Sequence, residues 1–334
     1  LRRFALHVSL VLGSVSACEH GDDGDFDFTQ TDPSVSATVT VTATSPTSGS
    51  ETTGTGATTE TSSPGSTGPD PSTTGTDDES STTEVLPTEP CTAVDILIVI
   101  DNSDTMADEQ ARLGAALPAF IELVNQQLPG VLGSIHVGVI TTDAPEFVTA
   151  SPAMTCLPYA SAANWMAYGP TLGAELGCAS AVGTMGDPDE RPMQMATDAL
   201  SSELLGLDGF NEGFLREQGP LVVLIVTDEE DDLEAVTEWG SVGDPPDWVD
   251  ALAATQGGYV QNVIPLALVG IPEPNACANP WNGIDGAEIA TRIAEFATSF
   301  PHHAVGDLCA VEYTTFLNGA VPEIAAACNA WVPE

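Results

Sequence analysis

Asp95-Ile96-Leu97-Ile98-Val99-Ile100, followed at once by Asp101-Asn102-Ser103-Asp104-Thr105, is the stretch from which the fold can be read. An unbroken apolar run of this length, ending in polar residues, marks a strand buried on both faces. Runs of the same kind recur at Ile135 to Ile140, Leu221 to Val226 and Val260 to Val269. Between the first two, Asp108 to Leu128 carries apolar residues at helical spacing, with Pro118 as the expected kink or break. Further helices fit Pro192 to Leu205, Asp247 to Thr255, Ala287 to Phe300 and Thr315 to Ala327. Alternating strands and helices predict an α/β domain, doubly wound, with a mostly parallel central sheet covered by helices on both faces. The stretch from Ala144 to Arg191 is too long for a simple connection, and Cys156 and Cys178 are placed to brace it.

This domain spans 91–334 and carries 35 acidic residues against 4 arginines, hence a net charge of −31. The whole chain of 334 residues stands at −43, and all six of its basic residues are Arg. Without lysine there is no Walker-type phosphate loop, no pyridoxal Schiff base and no Lys general base. Without clustered cations there is no footprint for nucleic acid.

Upstream, Arg2 and Arg3 precede an apolar run from Phe4 to Val15 that is too short to span a bilayer. Val15-Ser16-Ala17-Cys18 resembles a bacterial lipobox. That resemblance implies a signal peptide over 1–17, lipidation of Cys18 and, with Glu19 next, sorting to the outer membrane. From Thr29 to Pro90 half the residues are Ser or Thr and none is aromatic. Such a segment cannot bury enough surface to offset its ordering entropy, so 18–90 reads as a disordered acidic stalk. Setting Cys18 aside leaves six cysteines, an even number suited to an oxidising compartment, with 15 pairings open.

Chemistry is concentrated after the strands: Asp101 to Thr105 after the first, Thr141-Thr142-Asp143 after the second, Thr227-Asp228-Glu229-Glu230-Asp231-Asp232 after the third. In a parallel sheet these ends share one edge, where ligands bind. Carboxylates and hydroxyls gathered there without a cationic side chain call for a divalent ion, and oxygen-only ligands suit Mg²⁺, Ca²⁺ or Mn²⁺. The same acids could instead cap helices, as at Asp104, or form a solvated face. Trp165, Tyr168, Trp239 and Trp248 fall in loops expected around that edge. The five histidines offer little as ligands or bases.

Ile96 to Met106 resembles the opening strand and D-x-S-x-S metal motif of von Willebrand factor A (vWA) domains, and Leu221 to Asp228 resembles that family's later strand ending in aspartate. With the lipobox and stalk, the chain resembles lipid-anchored vWA proteins of Gram-negative bacteria. The resemblance implies a Rossmann-like fold and a metal-ion-dependent adhesion site formed by Asp101, Ser103, Thr105, Thr184 and Asp228. Thr105 stands where the family has a second serine, and Asp104 where it has glycine. Asp104, Asp143 and Asp231 are candidates for holding water around the ion. The family brings its chain ends together, which implies Cys91–Cys328; with Cys156–Cys178 as the local brace, Cys277–Cys309 is left.

The function so implied is non-catalytic: a cell-envelope module binding a divalent cation and, through it, a carboxylate of a protein or surface partner. The alternatives are an aspartate-nucleophile phosphohydrolase, for which Arg191, Arg216 or Arg292 would have to hold the phosphate, and a passive acidic module without metal.

Overall fold

A computed structural model describes residues 90–232 and 240–333. The segments expected to be a signal peptide and a stalk, up to residue 89, with Cys18 among them, and Trp239 lie outside the described residues. Within them, a six-stranded sheet has the order β3-β2-β1-β4-β5-β6. Its strands are β1 (Val94–Ile100), β2 (Ile135–Thr141), β3 (Met166–Ala167), β4 (Leu221–Val226), β5 (Val263–Val269) and β6 (Ala304–Asp307). All neighbouring pairs run parallel except β2 with the short edge strand β3. Every residue of β1, β4 and β5 is buried, which is why those runs show no alternation.

The pleat divides the core. Ile96, Ile98 and Ile100 pack with Leu113, Leu117 and Phe120 of α1 (Ala107–Gln127), Leu176 of α2 (Leu172–Ala179) and Leu317 and Ile324 of α7 (Thr314–Asn329). Leu97 and Val99 face the other way, onto Met193 and Ala196 of α3 (Pro192–Ala199), Trp248 and Leu252 of α5 (Pro245–Ala254) and Ile293 and Phe296 of α6 (Thr291–Thr298). The sheet is therefore doubly wound, with three of these helices on each face.

Several expected boundaries shift for local reasons. α1 continues through Pro118. The ring of a proline presses on the residue one turn earlier, which here is Gly114, and buried Leu117, Phe120 and Ile121 anchor the helix on both sides. The helix expected over Pro192 to Leu205 divides into α3 and the single turn α4 (Ser202–Leu205), because Ser201 turns extended and its hydroxyl accepts from the Leu204 amide. α6 starts at Thr291, since Ile289 is held in a bridge to Gly270 and the Glu288 amide donates to the Asp228 carbonyl.

Three disulfides close the domain: Cys91–Cys328, Cys156–Cys178 and Cys277–Cys309. The first joins residues 237 apart in sequence, and the Cys91 amide also donates to the Cys328 carbonyl.

At the amino-terminal edge of the sheet, His136 stacks on Trp165 with ring centroids 3.7 Å apart and places Nδ1 2.8 Å from the Phe214 carbonyl. Burial pulls the imidazole down from 6.5 to about 4, against the bond to Phe214, and the Arg216 charge adds to it. Asp95 lies 3.7 Å away, but its carboxylate is already paired with Arg216. The unfolded chain protonates near 6.5 and the folded one near 4, so this group's stabilisation is complete above that window and lost as pH falls through it. The loss is about 2 to 3 kcal/mol. Chemical denaturation should show the stability advantage of wild type over His136→Asn shrinking by that amount between neutral pH and the lower end of the window. An advantage that stays constant with pH would contradict this.

Candidate metal centre

Parallel pairing in the order β2-β1-β4 brings the loops after these three strands side by side. Asp101 follows β1, is fully buried, and extends the ladder by donating its amide to the Val226 carbonyl at 3.0 Å. Its Oδ1 accepts from the Ser103 amide at 2.7 Å and its Oδ2 from the Thr227 hydroxyl at 2.8 Å, so both strand ends fix the carboxylate. The Ser103 and Thr105 hydroxyls lie 3.1 Å apart, and Thr105 is close enough to Asp228 to offset part of the upward push on its carboxyl. Asp228, after β4, is 3 % exposed, and its Oδ1 is buried without a hydrogen-bond partner. The structure thus brings together four of the five residues expected at the site: Asp101, Ser103, Thr105 and Asp228.

The fifth, Thr184, is half-buried and its hydroxyl makes no hydrogen bond among the described residues. Its loop is nevertheless fastened against the Asp101 loop. Gln110 of α1 bonds the carbonyl and amide of Gly183 at 2.7 and 3.2 Å and reaches the Asp101 carbonyl at 3.0 Å. The Gly186 amide donates to the Asn102 carbonyl at 2.8 Å. A side chain at Gly186 would meet the Asn102 and Asp143 side chains at 2.5 and 2.7 Å, so a larger residue here would displace the bond between them.

What that loop delivers to the cluster is Glu190, a residue that no strand end or motif marks in the sequence. It is 3 % exposed, and neither carboxylate oxygen has a hydrogen-bond partner. Burial and then the Asp101 charge push its carboxyl well above the usual range, Asp143 adds to this, and the nearby Thr142 hydroxyl offsets part of it. Asp228 is raised in the same way, by burial first and Asp101 next. Glu229 is pushed up to about 8 by burial and by the charges of Asp228 and Asp101. All three shifts share one cause, negative charge crowded in a dry space without a compensating cation.

Candidates for an outer position divide. Asp143 accepts from the Asn102 side chain at 3.0 Å and the Asp187 amide at 3.1 Å, one step from the cluster. Asp104 is exposed to solvent. Asp231 is placed elsewhere: its Oδ2 accepts from the Met193 amide and the Ser241 hydroxyl, and its Oδ1 from the Ser241 amide. Those bonds fasten the start of α3, and they correct its assignment to the ion's surroundings.

The aromatic ring around the edge is also corrected. Trp165 packs on His136, and Tyr168 bonds Asn125 and Glu122, both at the opposite end of the sheet. Trp248 is buried beneath the Arg292 guanidinium. Arg292 is itself spent on backbone carbonyls of Asp231, Asp232 and Gly243, and Arg216 on Asp95 across the sheet, so neither serves an anion at this edge.

Oxygen donors from Asp101, Ser103, Thr105, Glu190 and Asp228 fit a hard divalent cation such as Mg²⁺, Ca²⁺ or Mn²⁺. Cys277, Asp307 and Cys309 also lie together, but the two sulfurs are bonded to each other and Asp307 accepts from the Ala276 and Cys309 amides. A disulfide offers no thiolate, so this group does not fit a metal in the oxidised chain.

No family model matches the chain, and no curated protein matches it. Two solved structures of proximal thread matrix protein 1 from the mussel byssus are similar to it at TM-scores of 0.39 and 0.37, with 14 and 13 % identity. Each alignment covers 72 % of this chain, and the chain spans about half the length of that protein, 50 and 49 %.

Proposed function

We propose that the domain is a divalent-cation-binding module of the vWA type, which uses its ion to bind an acidic group of a protein or surface partner. In this reading the ion is Mg²⁺, Ca²⁺ or Mn²⁺, held by Asp101, Ser103, Thr105 and Asp228. The chain is exported and anchored to the cell envelope through a lipidated Cys18, with the stalk as spacer. The observation that carries the reading is the buried, unpartnered Asp228 Oδ1 beside Asp101 and two hydroxyls. A buried polar atom without a partner is costly, and an ion at that point would relieve it. A general base is not needed for such a role, and a surface of this net charge would depend on the cation for local attraction to any acidic partner.

Thermal unfolding tests the proposal without knowledge of the partner. A cation at a hundred times its dissociation constant stabilises by about 2.7 kcal/mol, which is roughly 5 to 10 °C for a domain of this size. Melting should rise by that much in millimolar CaCl₂ or MgCl₂ and return to its starting point in chelator. A melting temperature indifferent to Ca²⁺, Mg²⁺ and Mn²⁺ would overturn the reading and leave the edge as a passive acidic surface.

A further inference from the structure

Glu190 reaches the cluster from a loop, whereas Asp101, Ser103, Thr105 and Asp228 all follow strands. It stands immediately before the start of α3, at the end of a loop clamped by Gln110, Asn102 and Asp143. Both its oxygens are buried and unpartnered beside Asp101. Among the described residues no arginine pairs with it: Arg112 meets Glu109, Arg191, next in sequence, forms no ion pair, and Arg216 and Arg292 are engaged elsewhere. A glutamate so placed has no part in holding the fold that a neutral side chain would not fill better.

We propose that Glu190 is a further ligand of the cation, a third carboxylate beside Asp101 and Asp228 that closes the site from within the chain. The inference rests on the cation reading above and decides what the ion can do. Three carboxylates around a dication leave a net negative site, so an acidic group from a partner reaches the ion by displacing Glu190. A glutamate with both oxygens free can give two donors at once, which suits Ca²⁺, with its larger and more adaptable shell, better than Mg²⁺.

Calorimetric titration of the full chain with CaCl₂ and with MgCl₂ tests this, comparing wild type, Glu190→Gln and Asp101→Asn. Glu190→Gln should weaken Ca²⁺ binding by about tenfold or more and reduce the preference for Ca²⁺ over Mg²⁺. In chelator the same variant should melt at or above wild type, because a neutral amide replaces a carboxyl that the metal-free fold must keep protonated; a fold defect would do the reverse. If Glu190→Gln binds Ca²⁺ as tightly as wild type while Asp101→Asn does not, the inference fails and the cation reading stands. If wild type binds neither ion, both fail.

Discussion

Replacing Arg216 by alanine is expected to destabilise the domain by about 3 to 5 kcal/mol, the usual cost of leaving a buried charge without its partner. Asp95, the second residue of β1, is 1 % exposed. The Arg216 amide donates to its Oδ2 at 2.7 Å, and the guanidinium meets its Oδ1 through Nε at 2.8 Å and Nη2 at 2.5 Å. The same guanidinium bonds the Val94 carbonyl and both the hydroxyl and carbonyl of Ser134, tying the starts of β1 and β2 together. Burial still outweighs the arginine and pushes the Asp95 carboxyl up from 3.8 to about 6. The folded chain therefore keeps a proton on Asp95 where the unfolded chain has released it, and stability falls as pH rises through that window. Without Arg216 the window extends higher, so the variant's loss should be larger at pH about 8 than at pH about 5. Urea denaturation at the two pH values checks it; an equal loss at both, or one under about 1 kcal/mol, would contradict the account.

Asp101→Asn should abolish most cation affinity while leaving the fold intact. Removing one member of a buried charge pair costs about 2 to 5 kcal/mol, at least about thirtyfold in affinity. Asparagine retains an oxygen for the Ser103 amide, and the Thr227 hydroxyl has the Glu229 carbonyl at 3.3 Å as another acceptor. The charge that raises Asp228, Glu190 and Glu229 is meanwhile gone. In chelator the variant should melt no lower than wild type, and in Ca²⁺ or Mg²⁺ it should show little of the wild-type rise. A melting temperature well below wild type in chelator would make Asp101 a structural residue instead.

The sheet was legible because its central strands are buried on both faces and read as continuous Ile, Leu and Val, while the helices between them keep a helical period. β6, Ala304–Asp307, escaped because four half-buried edge residues with a glycine among them carry no apolar run. β3 is two residues long, and α2 lies inside the Cys156–Cys178 loop, where the disulfide supplies order that periodicity does not announce. At the site, Asp101, Ser103, Thr105 and Asp228 were legible because each follows a strand, and parallel strands bring their ends together. Glu190 follows no strand. Its place depends on how a long loop folds back through Gln110 and Asn102, contacts between residues far apart in sequence. The only local hint was an acid directly before a helix-starting Arg191-Pro192. Asp231 misled for the opposite reason: it belongs to the acidic run after β4, but the chain turns there and sends its carboxylate to the start of α3.

The most direct measurement is a calorimetric titration of the metal-free wild-type chain with CaCl₂ and MgCl₂ at neutral pH. One cation bound per chain, with affinity lost in Asp101→Asn, is the predicted result. No saturable binding of Ca²⁺, Mg²⁺ or Mn²⁺ up to millimolar concentration, in a chain shown to be folded, would contradict the claim that these buried carboxylates form a metal centre.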